Sequence, residues 1–522
     1  MMSLRKIADR ALSFFGLQRR NAFSFQGAQA NRLTLDWWAA ILSADQEIKG
    51  NMRTLRARGR ELGRNNPVAK RYLAMLASNV VGSAGIRYQS RVRSAGGELD
   101  STTNKAIEEA FADFSKLGNC TVDGKLSLRA MEDLVIRAVA TDGEVFIRHV
   151  PGFPNKYGYA LQLIDADCID HNYTRDRGKG QNEIRLGVEV DQWGRPVAYY
   201  VSPYHPSDFG GSLERERIPA EFITHLYDPL RVNQTRGVTW FHAVMLAMRI
   251  LEGYIEAELV AARTGASKMG FLKYTDTADY EAPDPNKVKI RFEAAPGTVE
   301  MLPPGMEFVE WKLEHPANAF PNFVQAVLRQ IATGLAVSYN TLANDLVGVN
   351  YSSIRAGLLA ERDEWRRLQA WFGESLLQPI FDHWLPTALL SGQLKVGTRD
   401  PRRLGVGRWQ SRGWQWVDPL KDVQAAIMAI DAALDTRDDV ISDRGGDFEE
   451  TIEQLQEETK LAAKYGIDLQ GSTKTPLLAD KTPVDDNVTD ENDPNAEDAK
   501  PASPKRFAKM RELALAVGGR AQ

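Results

Sequence analysis

A chain of 522 residues with 43% apolar and 26% charged residues has the composition of a soluble globular protein and is long enough for roughly two to four domains. Its net charge of −4 argues against a surface that binds nucleic acid tightly, because such surfaces carry a strong excess of basic residues. Cys120 and Cys168 are too few for a disulfide framework or a metal quartet, and no apolar run approaches the roughly 18 residues that span a bilayer.

The N-terminal region is basic. Residues 1–72 carry 14 Lys and Arg against 5 Asp and Glu. The first residues show no small-residue cleavage site of a signal peptide, so a cytoplasmic protein is expected. Arg53, Arg56, Arg60 and Arg64 follow at helical spacing. They predict either a solvated helix face or a contact with an acidic neighbour or with phosphate.

After this basic region the pattern changes from helices to antiparallel strands. Gly82 and Gly85 mark a turn from helix to strand, and Met131–Thr141 has a helical pattern. Asp191–Gly194 is typical of a hairpin turn. Pro196 predicts an edge strand, because proline cannot donate a ladder hydrogen bond. The predicted strands are Glu144–Val150, Tyr159–Ile164, Gly187–Val190 and Pro196–Val201.

One cluster of potential metal ligands lies among these strands: Asp165, Asp167, Cys168, Asp170 and His171. On a strand such side chains would alternate between the two faces, and no second His/Cys pair lies at a ligand spacing. We therefore expect no metal site there.

A long helix in the segment 236–272 is the element around which the chain is organised. Thr239 is placed to cap it, and Gly265 and Gly270 supply stop signals. Its apolar positions recur with the helical period and predict one continuous stripe. The stripe consists of Phe241, Val244, Met248, Leu251, Ile255, Leu259 and Ala262.

On the same helix, Glu252 and Glu256 lie one turn apart and face the same way. Two interpretations stay open. The helix is either a core helix with a solvated acidic edge, or a rod that packs against copies of itself and presents that edge to another molecule.

A second long helix follows a small insertion. Lys273–Phe320 is rich in proline and glycine and has short strand-like runs, which indicates a small β module. Pro321 then opens the helix. Two long helices that bracket a β module predict a helical hairpin with the module at its far end. The apolar face of the second helix carries Val324, Leu328, Ile331 and Leu335.

A loop and a third long helix come next. Asn340–Asn350 is predicted as a loop with a single glycine, Gly348. Ser352 or Ser353 is predicted to cap the third helix, Ile354–Phe372.

The third helix carries Asp363 and Arg367 at the i,i+4 spacing that favours an ion pair. A Trp-rich segment, 408–419, precedes helices predicted over 420–465. Past Gly471 the chain is acidic and has almost no large apolar residue, which predicts disorder, and a short basic segment ends it.

The motifs of nucleotide and hydrolytic chemistry are missing from the sequence. No G-x-x-x-x-G-K-[ST] loop is present to cradle ATP phosphates, and the seven histidines form no HExxH pair. Glu252 and Glu256 could serve as a general acid and base, but carboxylate pairs on an exposed helix are usually solvated. We expect no enzymatic activity and no cofactor.

Taken together, several segments in order resemble the lambda-type phage portal protein family, and the resemblance runs from about Asn21 to Asp468. The segments are LRARGRELGRNNPVAKR, NVVGSAGIRYQS, HLYDPLRVNQTRGVTWFHAV, EGYIEAELVAARTGASKMGF, NYSSIRAGLLAERDEWR and GWQWVDPLKD.

The resemblance implies an α+β, mainly helical subunit with the portal-protein fold, assembled as a ring around a central channel. Its implied parts are a basic N-terminal segment (1–30), the wing (31–235), stem helix 1 (236–272), the clip (273–320), stem helix 2 (321–339), the tunnel loop (340–352), the long helix of the wing (353–385), the wing return and crown (386–470), and an acidic tail with a short basic end (471–522).

The implied functional residues fall into two sets. The tunnel loop, which faces DNA in the family, would present Asn340, Asn344, Asp345, Gly348, Asn350 and Tyr351. The first stem helix would present Arg249, Glu252, Glu256 and Arg263, either to the channel or to a neighbouring subunit.

The resemblance also implies partners and a location. The ring, usually of twelve copies, would occupy one vertex of the capsid in the virion, after assembly in the host cytoplasm. Double-stranded DNA would pass through it, driven in by the terminase large subunit. Major capsid and scaffold proteins and head–tail connector proteins would contact it, and no membrane is implied.

Helix dimensions support the ring size independently. Twelve helices about 10 Å apart form a circle roughly 38 Å across, which leaves roughly 28 Å after one helix thickness is subtracted. That opening admits a duplex about 20 Å wide, whereas six copies would leave about 9 Å. Two other hypotheses remain: a head or tail adaptor that never surrounds DNA, and a capsid-associated hydrolase that uses Glu252 and Glu256.

Overall fold

The computed structural model describes residues 32, 36, 40–94, 96–208, 214–266, 270–274, 306–310, 320–347, 351–397, 400–414 and 419–465. The chain divides into two compact units, Met1–Glu450 and Thr451–Gln522. The predictions for the basic N-terminal segment (1–30), for the acidic tail (471–522) and for most of the predicted clip lie outside the described residues.

Helices dominate the first unit and alternate with short strands. The α-helices are α1 Ala44–Lys49, α2 Met52–Asn65, α3 Pro67–Leu76, α4 Ser101–Phe114, α5 Leu128–Asp142, α6 Met245–Ala266, α7 Phe320–Gly334, α8 Tyr339–Ala343, α9 Tyr351–Phe372, α10 Gln378–Leu390, α11 Pro401–Leu404, α12 Pro419–Asp431, α13 Arg437–Asp443 and α14 Phe448–Lys464. Two π-helical turns, Ala77–Val81 and Gly373–Leu377, continue α3 and join α9 to α10. The described helices include none that is both long and apolar enough to cross a membrane.

The strands of the described residues form four antiparallel sheets. They are β1 Arg87–Ser90, β2 Glu144–Pro151, β3 Tyr159–Ile164, β4 Glu183–Arg185, β5 Val188–Val190, β6 Pro196–Val201, β7 Glu216–Pro219, β8 Ile223–Tyr227, β9 Gly270–Tyr274, β10 Met306–Glu310 and β11 Gly407–Gln410. Their orders are β1-β11, β9-β10, β3-β2-β8 and β4-β5-β6-β7. The predicted fold class, α+β and mainly helical, is confirmed.

The two larger hydrophobic clusters of the described residues hold the first unit together. The larger joins α3, α5, α10 and the start of α6 to one face of the β3-β2-β8 sheet, and Trp384 and Phe114 are fully buried in it. The smaller lies where that sheet meets the four-stranded sheet, around Phe146 and Tyr199. Because both clusters meet at β2, this strand ties the helical core to the sheets.

The predicted edge strand is wrong. β6 lies between β5 and β7 in its sheet, so it is an inner strand. Pro196 is tolerated because it is the first residue of β6 and lies beyond the pairing with β7, which begins at Ala198. The hairpin turn before it, Asp191–Gly194, is confirmed by the pairing of β5 with β6.

The starts of two helices differ from the prediction. Thr239 caps a single 3₁₀ turn, Trp240–Ala243, and α6 begins only at Met245 because Val244 departs from helical geometry (φ −119°, ψ −12°). The helix then runs through Gly265, which is therefore no stop signal. α9 begins at Tyr351, so Ser352 and Ser353 lie inside the helix rather than at the position before it.

The predicted ion pair on α9 is also wrong. Arg367 contacts Glu364, 2.8 Å away, and Asp228 at 3.6 Å, while Asp363 contacts Arg366 at 3.3 Å. The i,i+3 pairs are closer here than the i,i+4 pair that the spacing suggested.

Two glycines allow the segment before α6 to cross the start of β2. Gly143 has φ +93°, and a Cβ there would lie 2.4 Å from the carbonyl carbon of Val238. A Cβ on Gly237 would lie 2.1 Å from the carbonyl oxygen of Gly143. Only residues without a side chain fit this crossing, which brings the entry of α6 against Glu144.

Candidate functional site

α6 and α7 form an antiparallel hairpin. Near its base, Val244 contacts Gly334 at the end of α7, where a Cβ would lie 2.4 Å from Val244 Cγ1. Farther along, the ring of Tyr254 packs against Phe320 and Phe323 at the start of α7, with centroids 5.7 and 5.0 Å apart. The helical hairpin predicted from the sequence is therefore present.

At the far end of the hairpin, β9 follows α6 and pairs antiparallel with β10. The register places Gly270 opposite Glu310 and Tyr274 opposite Met306. This pair belongs to the β insertion that the sequence predicted between the two helices.

The predicted apolar stripe of α6 is buried over only part of its length. Val244, Met248 and Leu251 are buried in the larger cluster, whereas Leu259 is 67% exposed. The helix is thus embedded in the subunit at its start and leaves the core after about two turns.

A second apolar stripe lies on another face of α6, and the sequence interpretation missed it. Leu246, Ile250 and Val260 are 72%, 61% and 58% exposed. Together with Ala257 they are spaced by four, seven and three residues, so they fall on one side of the helix, away from the buried face. Burial on one face and apolar exposure on another are typical of a helix that packs against a second molecule.

The charged residues predicted on α6 form a third face. Arg249, Glu252, Glu256 and Arg263 are spaced by three, four and seven residues and therefore share one side of the helix. Arg249 contacts Glu252 at 3.2 Å within the same helix, and Glu256 is exposed. Because two arginines accompany the two glutamates, the formal charge of this face is balanced rather than negative.

A buried ionic cluster anchors Arg236 and Gly237, the residues that lead into α6; this segment is called the entry to α6 below. The carboxylate of Glu144, at the start of β2, accepts hydrogen bonds from Arg236 Nη2 at 2.6 Å and Arg56 Nη2 at 2.7 Å. It also accepts from His225 Nε2 at 3.0 Å and from the backbone N–H of Gly237 at 2.9 Å. Arg236 is fully buried and Arg56 is 2% exposed, so this carboxylate is the counter-ion of two guanidinium groups that are removed from water.

The protonation of this cluster follows from its charges. Burial by itself would raise the pKa of Glu144, but the charges of Arg236 and Arg56 and the hydrogen bonds from His225 and Arg236 outweigh it and hold the pKa below its ordinary value. Burial lowers the pKa of His225, so the ring is neutral and donates from Nε2 to the carboxylate.

Two of the arginines of α2, Arg56 and Arg60, contact acidic neighbours, which is one of the two alternatives predicted for this set. Arg60 donates to Asp142 through Nε at 2.8 Å and Nη2 at 2.7 Å, and to Asp167 at 2.7 Å. Arg56 reaches Glu144 and Asp167. The alternative of a fully solvated face is wrong for these two residues, which join α2 to the end of α5 and the turn after β3.

The contacts of Arg60 also show what the clustered aspartates, considered above as metal ligands, bind in the folded chain. Ala166–Cys168 is a 3₁₀ turn rather than the strand that the sequence argument assumed. Asp165, Asp167 and His205 lie close enough to share an ion. However, Arg60 donates to both aspartates, so a cation there would have to displace a guanidinium group.

The predicted tunnel loop is shorter than the sequence suggested. Asn340 lies in α8, which Ser338 caps, and its carbonyl accepts from the N–H groups of Asn344 and Asp345. Asn344 ends α8 in the left-handed conformation, φ +53°. The loop therefore begins at Asn344. Tyr351 starts α9, and Gly348 and Asn350 lie outside the described residues.

At the start of this loop, the carboxylate of Asp345 accepts hydrogen bonds at both oxygens. Its Oδ2 accepts from the hydroxyl of Tyr339 at 2.6 Å, and its Oδ1 accepts from the N–H of Val347 at 3.0 Å. The hydrogen bond from Tyr339 holds the pKa of Asp345 below its ordinary value. The guanidinium of Arg329 lies over the Tyr339 ring, 5.4 Å from its centre. Asp345 is thus ionised at neutral pH with a cation close by.

Glu361 fixes the base of the loop from α9. Its buried carboxylate accepts from the hydroxyls of Ser338 at 2.7 Å and Thr341 at 2.9 Å, and from Trp365 Nε1 at 3.3 Å. Arg71 of α3 donates to the carbonyl of Thr341 at 3.2 Å. The base of the loop is held by these contacts, while the side chains of its next residues, such as Val347, are exposed.

A helical hairpin with a β pair at its far end and a loop at its base is the arrangement that the portal resemblance led us to expect. The family model described as phage portal protein, lambda family, matches residues 30–369. A probable portal protein of Halomonas phage phiHAP-1 is 35% identical over 483 residues, which cover 91% of this chain and 93% of that protein. Portal protein B of Escherichia phage lambda is 24% identical over 472 residues, 83% of this chain and 88% of that protein.

Among solved structures, a chain of the virion of a native gene transfer agent particle is 14% identical and aligns with a TM-score of 0.40 over 74% of this chain and 89% of that chain. The family model and the Halomonas phage relative identify the protein. The chain belongs to the lambda family of phage portal proteins.

Proposed function

We propose that this portal protein forms a closed ring at one capsid vertex and conducts double-stranded DNA through the centre of that ring. The observation that carries the proposal is the hairpin of α6 and α7. It is anchored in the subunit core at one end, and it presents an exposed apolar stripe, Leu246, Ile250 and Val260, along its length. In a closed ring, the neighbouring subunit would cover the exposed stripe of each α6.

The ring size follows from the width of a helix. Twelve copies of one helix, one from each hairpin, leave an opening of roughly 28 Å when they stand side by side, and this opening passes a duplex about 20 Å wide. The loop that begins at Asn344 connects the end of the hairpin to α9 and is our candidate for the surface that meets DNA. Asn340 lies in α8 and is a neighbour of that loop rather than part of it.

The remaining partners follow from the family. We infer that a terminase large subunit drives DNA inward through the ring, and that major capsid, scaffold and head–tail connector proteins contact its outer parts. Assembly would take place in the host cytoplasm, and the ring would remain at the portal vertex of the virion. The β insertion at the end of the hairpin is our candidate for the face that meets the motor and later the connectors.

Purified protein is expected to form closed rings of roughly 10–13 subunits with a central hole, because rods of this width close around a duplex at that number. Native mass spectrometry gives the copy number, and electron micrographs show the hole. The double variant Ile250→Asp, Val260→Asp is expected to remain monomeric, because it places charge in the apolar stripe that a neighbouring copy would cover.

The matched control is Leu117→Asp, which changes an apolar residue of similar exposure (65%) that lies outside the hairpin. It is expected to form rings like the unmodified chain. Solid particles without a hole would favour the adaptor hypothesis. Rings formed equally well by the double variant would show that the stripe is not the interface.

The isolated ring is expected to hydrolyse no ATP above the level of a mock preparation, because the sequence contains no loop that could cradle the phosphates. A phosphate-release assay with and without double-stranded DNA measures this directly. Turnover that the Glu252→Gln variant abolishes would contradict the prediction and favour the hydrolase hypothesis.

A further inference from the structure

A glutamate occupies a core position on α9. The buried face of this helix carries Glu361, Trp365, Leu368 and Phe372, which follow one another at helical spacing and are each at most 6% exposed. Three of the four are large and apolar, as expected of a helix face that packs on a core. Glu361 therefore lies where an apolar side chain would pack without the cost of removing a carboxylate from water.

The carboxylate of Glu361 binds the first turn of α8. Its Oε2 accepts hydrogen bonds from the hydroxyls of Ser338 at 2.7 Å and Thr341 at 2.9 Å. Ser338 is the N-cap of α8 and Thr341 is its third residue, and their hydroxyl oxygens lie 2.6 Å apart. A single carboxylate on α9 thus holds both hydroxyls that begin the short helix.

α8 needs this support because it is short. It has five residues, Tyr339–Ala343, whereas an isolated helix needs roughly 12–15 residues to be even marginally stable in water. Asn344 ends the helix in the left-handed conformation, and the loop described above begins there. The direction in which the loop leaves α8 therefore depends on how α8 is held.

The other contacts of α8 involve more exposed side chains. Arg71, which donates to the carbonyl of Thr341 at 3.2 Å, is exposed, and Tyr339, which donates to Asp345 at 2.6 Å, is half-buried. Water can replace a hydrogen bond that is lost at such positions, whereas a buried group that loses its partner stays unpaired. The Glu361 contact is therefore the one whose loss is hardest to replace.

We propose that Glu361 is a positioning residue: through Ser338 and Thr341 it fixes α8, and α8 fixes where the loop that begins at Asn344 projects. The inference rests on the proposed function only for what the loop does, since the contacts themselves lie within one subunit. A buried polar group can select one conformation at little gain in stability. An apolar residue at position 361 should therefore leave the subunit folded and release the loop.

The test measures the mobility of the loop with a nitroxide label. Val347, which is 87% exposed, is replaced by cysteine in the full-length chain with Cys168→Ser, while the other cysteine, Cys120, is fully buried. Electron paramagnetic resonance of the purified protein gives the rotational correlation time of the label. Glu361→Leu is expected to shorten this time by at least about twofold, because the base of the loop is no longer fixed. Glu361→Gln keeps an acceptor oxygen and is expected to stay close to the parent.

Two controls separate positioning from general damage to the fold. Asn104→Leu makes the same kind of change at another buried polar residue, 3% exposed on α4, and is expected to leave the label at position 347 unchanged. A label at Leu117→Cys, an exposed position outside the loop, is expected to be insensitive to Glu361→Leu. If Glu361→Leu unfolds at a much lower temperature than the parent, Thr341→Val serves as the second variant. It removes one hydroxyl at nearly constant shape and is expected to shorten the correlation time in the same direction.

A label at position 347 that stays as ordered in Glu361→Leu and Thr341→Val as in the parent would overturn the proposal. So would equal loosening by Asn104→Leu. A packaging assay then tests the role of the loop, and Glu361→Leu is expected to package severalfold less DNA than Asn104→Leu. A mobile label with normal packaging would support Glu361 as the positioning residue and would count against the loop as the surface that meets DNA.

Discussion

Replacement of Glu144 by alanine is expected to lower the free energy of unfolding by about 3–5 kcal/mol, because it leaves the buried Arg236 without its carboxylate partner and removes one of the two carboxylates that contact the buried Arg56. Arg236 and Arg56 are almost fully removed from water, and each donates to this carboxylate. Chemical denaturation of the subunit, followed by tryptophan fluorescence, measures the change. The variant should also lose ring formation, because the same cluster holds the entry to α6.

The stability that Glu144 contributes should decrease as the pH falls. The pKa of Glu144 lies below its ordinary value of 4.5 in the folded chain. A carboxyl with a depressed pKa contributes stability that is fully present above its unfolded-state pKa and is lost as the pH falls through the folded-state pKa. The unmodified chain therefore loses this contribution in acid. A Glu144→Gln variant lacks it throughout, so the difference between the two should narrow as the pH falls below 4.5.

A matched control is the exposed pair of Arg148 and Glu216, 2.9 Å apart. Glu216→Ala is expected to change stability by no more than about 1 kcal/mol, because solvent already screens that pair. If Glu144→Ala costs as little as Glu216→Ala, the buried cluster is not what anchors α6.

The double reversal Glu252→Lys, Glu256→Lys is expected to leave rings intact and to slow DNA packaging by on the order of tenfold at low salt, because cationic contacts to phosphate strengthen as salt falls. The charged face of α6 would change from balanced to strongly positive, since Arg249 and Arg263 share it. Packaging assays at several salt concentrations, with micrographs of the same preparations, separate assembly from DNA passage.

The control for this experiment is Glu98→Lys, Glu109→Lys, which adds the same charge at two exposed positions outside the hairpin. It should package normally. Rings that fall apart only in the Glu252, Glu256 variant would assign these residues to the subunit interface. Intact rings that package at the usual rate would contradict both roles.

Elements with a strong local signal could be predicted from the sequence. The long helices followed from apolar residues at helical spacing, and the turn at Asp191–Gly194 followed from its composition. Both depend on residues close together in the chain. The start of α6 at Met245 could not be predicted in this way, because the cap at Thr239 closes a 3₁₀ turn and Val244 interrupts the helix.

The buried cluster was missed because its members are far apart in the sequence. Glu144 and Arg236 are separated by 92 residues. A glutamate at the head of an apolar strand was a signal that a cation lies opposite, since such a charge is rarely buried alone. Which cation pairs with Glu144 could not be predicted from the sequence, although Arg236 and Arg56 both lie in segments that carried the family resemblance.

The segment predicted as the tunnel loop shows a different limit. Its asparagines favoured a loop from Asn340 onward, yet Ser338 caps a short helix there, and Glu361, 23 residues away on α9, holds that cap. A tertiary contact thus decided the conformation of a segment whose local composition pointed to a loop.

The balance of charge on α6 could be predicted from the sequence, since Arg249 and Arg263 occupy the same face of the helix as Glu252 and Glu256.

The burial of α6 at one end only has a mechanical consequence. Beyond Leu251 the helix continues for about four turns, roughly 22 Å, and from Glu252 to Arg263 its residues are half-buried or exposed. A rod clamped at its base and free at its tip deflects under a sideways load in proportion to the cube of its free length. In a lone subunit the hairpin tip is therefore compliant. In the proposed ring, neighbouring rods would brace one another, so the stiffness of the conduit would be a property of the closed assembly rather than of the subunit.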